Sequence, residues 1–146
     1  MIRMWKILAP IVAWIIIVIF SPINSNLEKL KVKYWSTLDM LRATGDPVWH
    51  PVLKPAILTG IFGKRDGVIG SNINKGYEIY ICLDGDDINS ATYVLLHELA
   101  HMTVEEYDHS DKFWENFKNL KELAVKNGIY VKNGKKNYCG DVINDP

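Results

Sequence analysis

Five consecutive residues, His97-Glu-Leu-Ala-His101, have the types and the spacing of a metal site. Residues four apart lie on one face of a helix, so both imidazoles can bind a single ion. A zinc ion with three protein ligands keeps a fourth position for water and lowers the pKa of that water to about 7. Glu98 lies one step round the helix and can take the proton of that water as a general base. The pattern therefore predicts one zinc ion and the hydrolysis of peptide bonds.

The helix around this motif is predicted to begin with Asn89 or Ser90 as its cap and to end near Val104. Apolar residues lie on most of its circumference, so it should be buried. These residues are Tyr93, Val94, Leu95, Leu96, Leu99 and Ala100. Polar side chains on a buried helix need partners, because an unpaired polar group there costs about 2–7 kcal/mol. We therefore expect the histidines and the glutamate of the motif to surround an ion.

The third zinc ligand is predicted to be His109, which follows His101 after seven intervening residues. A loop of this length can turn back under the helix, and neutral imidazole is the commonest zinc ligand. A carboxylate could take this position instead, and four acidic residues are within reach of it. They are Asp108, Asp111, Glu115 and Glu122. Asp111 could also orient a ligand histidine through a hydrogen bond.

Two further helices are predicted before and after the motif. Apolar residues at steps of three and four indicate the first helix. They are Leu27, Leu30, Tyr34, Leu38 and Leu41. Asn26 would cap this helix, which should end near Ala43. The other helix would begin after Ser110 as its cap and end at Gly128, a residue type typical of helix C-termini.

Short strands are predicted between the first helix and the motif. Residues 57–62 and 77–83 are rich in β-branched and aromatic side chains, as strands are. The segment 77–83 could pair with residues near Val68, because Asn72–Gly76 is a sequence of turn-forming residues. Residues 132–146 are polar and are predicted to form a loosely packed tail. The order of helices and strands predicts an α+β fold.

The first 25 residues are predicted to form a membrane anchor. Residues 7–20 carry no charge, and Arg3 and Lys6 precede them. The apolar run is close to the minimum length for a helix that crosses about 30 Å of hydrocarbon. Membrane contact is therefore expected over residues 5–23, which would make this a single-pass membrane protein. A cleaved signal peptide, giving a secreted protein, and a buried core helix are the alternatives.

Composition excludes several classes of protein. The chain has 146 residues, of which 48% are hydrophobic and 23% charged, so it is neither disordered nor long enough for a two-domain enzyme. It has 17 basic and 17 acidic residues, and this zero net charge does not support binding to nucleic acid. Cys82 and Cys139 could form one disulfide or remain free thiols.

Three motifs follow one another in order between residues 67 and 130. The first is a turn before a strand, Gly70-Ser-Asn-Ile-Asn-Lys-Gly76. The second is the His-Glu-Leu-Ala-His helix, and the third is His109 followed by an acidic residue and Phe113. In this order the motifs resemble the WLM metallopeptidase domain, which is related to the SprT/Spartan proteases.

The resemblance implies a small zincin-like metalloprotease fold, which we assign to residues 26–131. It also implies that His97, His101 and His109 hold one Zn²⁺ and that Glu98 is the catalytic residue. The SprT/Spartan proteases cut proteins that are covalently trapped on DNA. The resemblance therefore allows a nucleic-acid partner, although the charge of the chain does not support one.

Two functions are consistent with these patterns. The first is a membrane-tethered, zinc-dependent endopeptidase that hydrolyses a protein or peptide substrate, with Glu98 as general base. The second is a non-catalytic zinc-binding component of a membrane or virion that shares the zincin fold. The two differ in whether the zinc-bound protein cleaves peptide bonds.

Overall fold

A computed structural model describes residues 22–146, and their architecture is α+β, as predicted. In chain order the elements are α1 (Pro22–Thr44), a 3-10 helix (Pro47–Leu53), β1 (Ile57–Ile61), β2 (Gly70–Ile73), β3 (Glu78–Cys82), α2 (Ile88–His101), α3 (Asp111–Lys126), β4 (Gly134–Tyr138) and β5 (Asp141–Asp145). The first three strands form one sheet, and β4 and β5 form another. The predicted helices and strands are present, with changes at their ends and at the C-terminus.

Helix α1 buries the apolar face that the sequence predicts. Its buried side chains include Leu30, Tyr34, Leu38 and Leu41. The helix begins at Pro22, so Asn26 lies inside it rather than at its cap. The buried Asn26 amide instead donates a hydrogen bond of 2.8 Å to the carbonyl oxygen of Gly85, in the loop before α2.

The predicted transmembrane helix, and with it the single-pass membrane location, is corrected by the structure. Among residues 22–146, no helix has both the length and the apolar character to cross a bilayer. Residues 22–25, which the prediction gave to the anchor, instead begin α1, whose sequence contains charged residues such as Glu28 and Lys29. Such charges interrupt the run of about 20 apolar residues that a spanning helix needs. The predicted anchor residues before Pro22, and the alternative signal peptide, lie outside the described residues.

The three-stranded sheet has the order β1-β3-β2. Strands β2 and β3 pair antiparallel around the turn at residues 74–77, as the hairpin prediction requires. Strand β1 pairs parallel with the other side of β3. The central strand therefore carries the buried residues Ile79 and Ile81, and β2 forms an edge of the sheet.

Helices α2 and α3 pack against each other, and α2 also packs against α1, β2 and β3. The N-cap of α2 is Asp87, whose carboxylate accepts from the Ser90 backbone N–H at 3.0 Å. The predicted cap residues lie within the helix instead. Ser110 caps α3 as predicted, because its hydroxyl accepts from the Phe113 backbone N–H.

The C-terminal residues form a hairpin rather than the predicted loose tail. Strands β4 and β5 pair antiparallel, with Tyr138 and Ile143 buried against the core. A disulfide joins Cys139, in the hairpin turn, to Cys82 at the end of β3. The carboxylate of Asp145 is also buried, where it accepts from the Tyr130 hydroxyl and pairs with Lys121 at 2.7 Å. These contacts make residues 134–145 part of the fold.

Candidate metal centre and catalytic cleft

Helix α2 and the loop after it bring three histidines together. His97 and His101 lie one turn apart on α2, and His109 comes from the loop that leads to α3. One ring nitrogen of each histidine lies within 4.8 Å of the other two, and the Nε2 atoms of His97 and His109 are 3.1 Å apart. Within residues 22–146, this group contains none of the four carboxylates considered as alternative ligands.

The donor set fits a zinc ion. Zinc–nitrogen distances of about 2.0–2.1 Å in a tetrahedral site place ligand nitrogens about 3.3 Å apart, close to the separation found for two of the rings. Three imidazoles also leave the fourth tetrahedral position to a water or a substrate, as hydrolytic zinc sites do. The cluster is therefore able to hold one ion.

The surroundings of the histidines keep two of them neutral. Burial lowers the pKa of His97 to about 3, and the nearby His101 and His109 act in the same direction. Burial and His109 together lower the pKa of His101 to about 4. A neutral imidazole has a free lone pair for a metal ion, so protons do not compete with an ion for these two side chains at neutral pH.

Aromatic side chains of α3 surround the histidines and explain this burial. The ring of Phe113 stacks on His101 with a centroid distance of 4.3 Å. Phe117 and Trp114 contact the ring of His97 edge-on, with centroids 5.2 and 6.2 Å away. Ser110 caps α3 directly after His109. The start of this helix therefore fixes both the position of its aromatic side chains and the end of the loop that carries His109.

Glu98 lies beside the histidines and is 6% exposed. Its burial raises the pKa of its carboxyl group to about 7. A group with this pKa can both take and return a proton near neutral pH, as a general base requires. Asn72 of β2 holds the backbone at this point, because its side-chain amide donates to the Glu98 carbonyl oxygen at 3.0 Å.

Two residues that shape this site were not among the predicted site residues. Gly70 lets β2 approach α2 so closely that a side chain there would meet Val94 and Glu98. Lys75, in the turn after β2, donates hydrogen bonds to the loop that carries His109. The position of Gly70 in the turn motif could have indicated a close contact of the backbone. The sequence does not distinguish Lys75 from an ordinary solvent-exposed lysine in a turn.

A cleft runs along β2 and has Glu98 and His97 in its middle. It comprises two adjoining cavities, of about 270 and 390 Å³, that share these two residues together with Val68 and Gly70. Tyr107 and the other histidines line the smaller cavity. Side chains of α2, α3 and the C-terminal hairpin line the larger one: Tyr93, Val94, Trp114, Asp141, Val142, Ile143 and Asn144. Glu98 therefore lines both cavities.

Two viral proteins are similar to about half of this chain. The uncharacterized protein 136R of Invertebrate iridescent virus 6 is 38% identical over 85 residues, which cover 51% of this chain and 47% of that protein. The uncharacterized protein R325 of Acanthamoeba polyphaga mimivirus is 36% identical over 83 residues, covering 50% of this chain and 42% of that protein. The matched part is therefore less than half of either relative. No solved structure matches the chain significantly.

The family match extends beyond the three sequence motifs. The model of the WLM domain matches residues 54–143, from the start of the sheet into the C-terminal hairpin. The matched residues include positions beyond residue 131, the predicted end of the domain. This match covers more than half of the chain, and it is consistent with a metallopeptidase-like domain. The chain belongs to the WLM domain family.

Proposed function

We propose that this domain is a zinc-dependent endopeptidase with Glu98 as its general base. The observation that carries the proposal is the position of Glu98, a buried carboxyl group one residue from His97 and beside the three-histidine cluster. Structural zinc sites are usually closed by a fourth protein ligand. Here Glu98, whose carboxyl group is suited to proton transfer, lines the same cavity as the three histidines.

The proposed roles follow from the positions of the side chains. His97, His101 and His109 would hold the zinc ion, and the aromatic residues of α3 keep their rings in place. When bound, zinc would acidify a water molecule and polarise a substrate carbonyl group. Glu98 would accept the proton of the water and return it to the leaving amine.

The shape of the cleft supports a protein or peptide as the substrate. Glu98 lines both of its cavities, so a substrate chain that occupied both would pass the proposed base. Strand β2 is an edge strand beside this cleft, and its free backbone groups could hydrogen-bond an extended chain. A small-molecule substrate would need only one of the cavities.

The test is to assay the full chain, loaded with zinc, on an unfolded protein and to compare it with Glu98→Gln. Glutamine keeps the shape of the side chain but cannot accept the proton, so cleavage should fall by about 10²–10⁴-fold while zinc stays bound. Glu115→Gln is the matched control, since Glu115 is an exposed residue of α3, and it should cut as fast as wild type.

Two outcomes would contradict the proposal. Glu98→Gln protein that cleaves at the wild-type rate would exclude Glu98 as the base. Wild-type protein that binds zinc but cuts no unfolded substrate would favour the alternative of a non-catalytic zinc-binding domain.

A further inference from the structure

The position of His109 depends on an irregular loop. Residues 102–110 contain no helix or strand, and His109 itself is exposed. Within the described part of the chain, its side chain makes a hydrogen bond to one partner, the His97 ring. The other two histidines are fixed by a buried helix, so the third needs something that fixes its loop.

Lys75, in the turn after β2, is hydrogen-bonded to this loop. Its ammonium group donates to the carbonyl oxygens of His101 at 3.2 Å, Val104 at 2.9 Å and Glu106 at 2.7 Å. The same group lies 4.3 Å from the centre of the Tyr107 ring. A lysine ammonium has three N–H donors, so these three carbonyl groups use all of them. The side chain is therefore fully occupied by protein groups, although it lines the cleft.

The contacts of Lys75 lead along the chain to His109. Glu106, whose carbonyl group accepts from Lys75, also accepts from the Ser110 hydroxyl through its side chain, at 2.7 Å. Ser110 in turn caps α3 and directly follows His109. The loop is thus held on both sides of residues 107–109. Lys75 binds carbonyl groups before them, and Ser110 at the start of α3 follows them.

We propose that Lys75 is a positioning residue of the metal site, which clamps the loop so that His109 can reach the ion. The proposal rests on the zinc site of the proposed function but not on peptide cleavage. Lys75 contacts no candidate ligand side chain. Replacing Lys75 is therefore expected to lower zinc affinity by about 10–100-fold, as is typical for residues that support the metal ligands without binding the metal.

The experiment measures zinc affinity in the full chain by competition with a chelating dye. Lys75→Gly is the main variant, because Lys75 has φ 51°, a conformation that glycine adopts without strain. This change removes the ammonium group and leaves the turn geometry accessible. Lys75→Arg keeps the charge, but a planar guanidinium does not match three carbonyl groups around a single nitrogen. Lys118→Met, at an exposed position of α3, is the matched control.

We expect the affinity for zinc to fall about 10-fold or more in Lys75→Gly and less in Lys75→Arg, and to stay unchanged in Lys118→Met. In the metal-free protein, hydrogen exchange should become faster at residues 103–109 and stay unchanged in β1. A Lys75→Gly protein that binds zinc within 2-fold of wild type would overturn the proposal. Wild-type protein that binds no zinc would overturn it too, together with the proposed function. If Lys75→Gly weakens zinc binding as expected but the wild-type protein cleaves nothing, only the peptidase proposal is contradicted.

Discussion

Gly70 and Glu98 lie so close together that a methyl group on Gly70 would be 3.2 Å from the Glu98 Oε1 atom. The same methyl group would be 2.4 Å from Val94 Cγ1, a distance at which one of the two must move. Strand β2 and helix α2 are thus in contact at the residue proposed as the general base. The absence of a side chain at Gly70 sets the spacing between the edge strand and that carboxyl group.

Replacing Gly70 by alanine is therefore expected to lower the free energy of unfolding by about 1–3 kcal/mol, because the added methyl group overpacks the contact with α2. Urea unfolding of the metal-free protein measures this change. Val94→Ala removes the atom that clashes, so Gly70→Ala should cost at least about 1 kcal/mol less in a Val94→Ala background. Equal costs in the two backgrounds would show that the two residues do not meet.

Replacing His109 by alanine should weaken zinc binding by more than the 10–100-fold that outer residues typically cause. The reason is that the change removes one of three potential ligands while leaving His97 and His101 on α2. His50 offers a matched control, since it is exposed in the 3-10 helix and distant in sequence from the cluster. Titration with zinc checks the prediction. If the alanine variants at positions 50 and 109 bound zinc equally well, His109 would not be a ligand.

The contribution of the buried Glu98 to the stability of the metal-free protein should fall as the pH rises. Burial raises the folded-state pKa from 4.5 to about 7, so between these values the unfolded chain releases a proton that the folded protein keeps. The Glu98 contribution to the free energy of unfolding therefore falls across this range, by up to about 3 kcal/mol. His97 and His101, whose pKa values are lowered by folding, contribute in the opposite direction. Glu98→Gln lacks this titration. Relative to wild type, it should gain stability between pH 4.5 and 7 and show a constant difference above that.

Denaturant unfolding with a chelator present, at several pH values, measures this difference. The histidines titrate in both proteins, so subtracting one curve from the other isolates the effect of Glu98. A difference in stability that does not change with pH would mean that the Glu98 carboxyl group keeps an ordinary pKa in the folded protein.

The disulfide between Cys82 and Cys139 is expected to stabilise the fold by about 2–4 kcal/mol, because it closes a loop across a sequence separation of 57 residues in the unfolded chain. Adding a reductant should lower the midpoint of urea unfolding by a corresponding amount. The double variant Cys82→Ala, Cys139→Ala is the control and should not respond to the reductant. A wild-type protein with two titratable thiols under non-reducing conditions would contradict the pairing.

The placement of the C-terminal residues could not be read from their own sequence. Residues 132–146 are polar, and no strong alternation of apolar residues marks a strand. Contacts with residues distant in sequence hold them in place instead. These contacts are the disulfide to Cys82, the hydrogen bond from the Tyr138 hydroxyl to the Cys82 carbonyl oxygen, and the Lys121–Asp145 ion pair. A short hairpin is only marginally stable alone, so tertiary contacts decide whether it forms.

What the sequence determined by itself is the local part of the site. The spacing of His97 and His101 on a helix makes the two rings neighbours whatever the rest of the fold does, and the apolar residues around them predict burial. Helix α1, the β2–β3 hairpin and the Ser110 cap also follow from short-range patterns. Only the tertiary structure decided the approach of His109 through its loop, the hydrogen bonds from Lys75 to that loop, the close contact at Gly70 and the parallel pairing of β1. These depend on which distant segments meet, and hydrophobic periodicity and capping residues describe only neighbours along the chain.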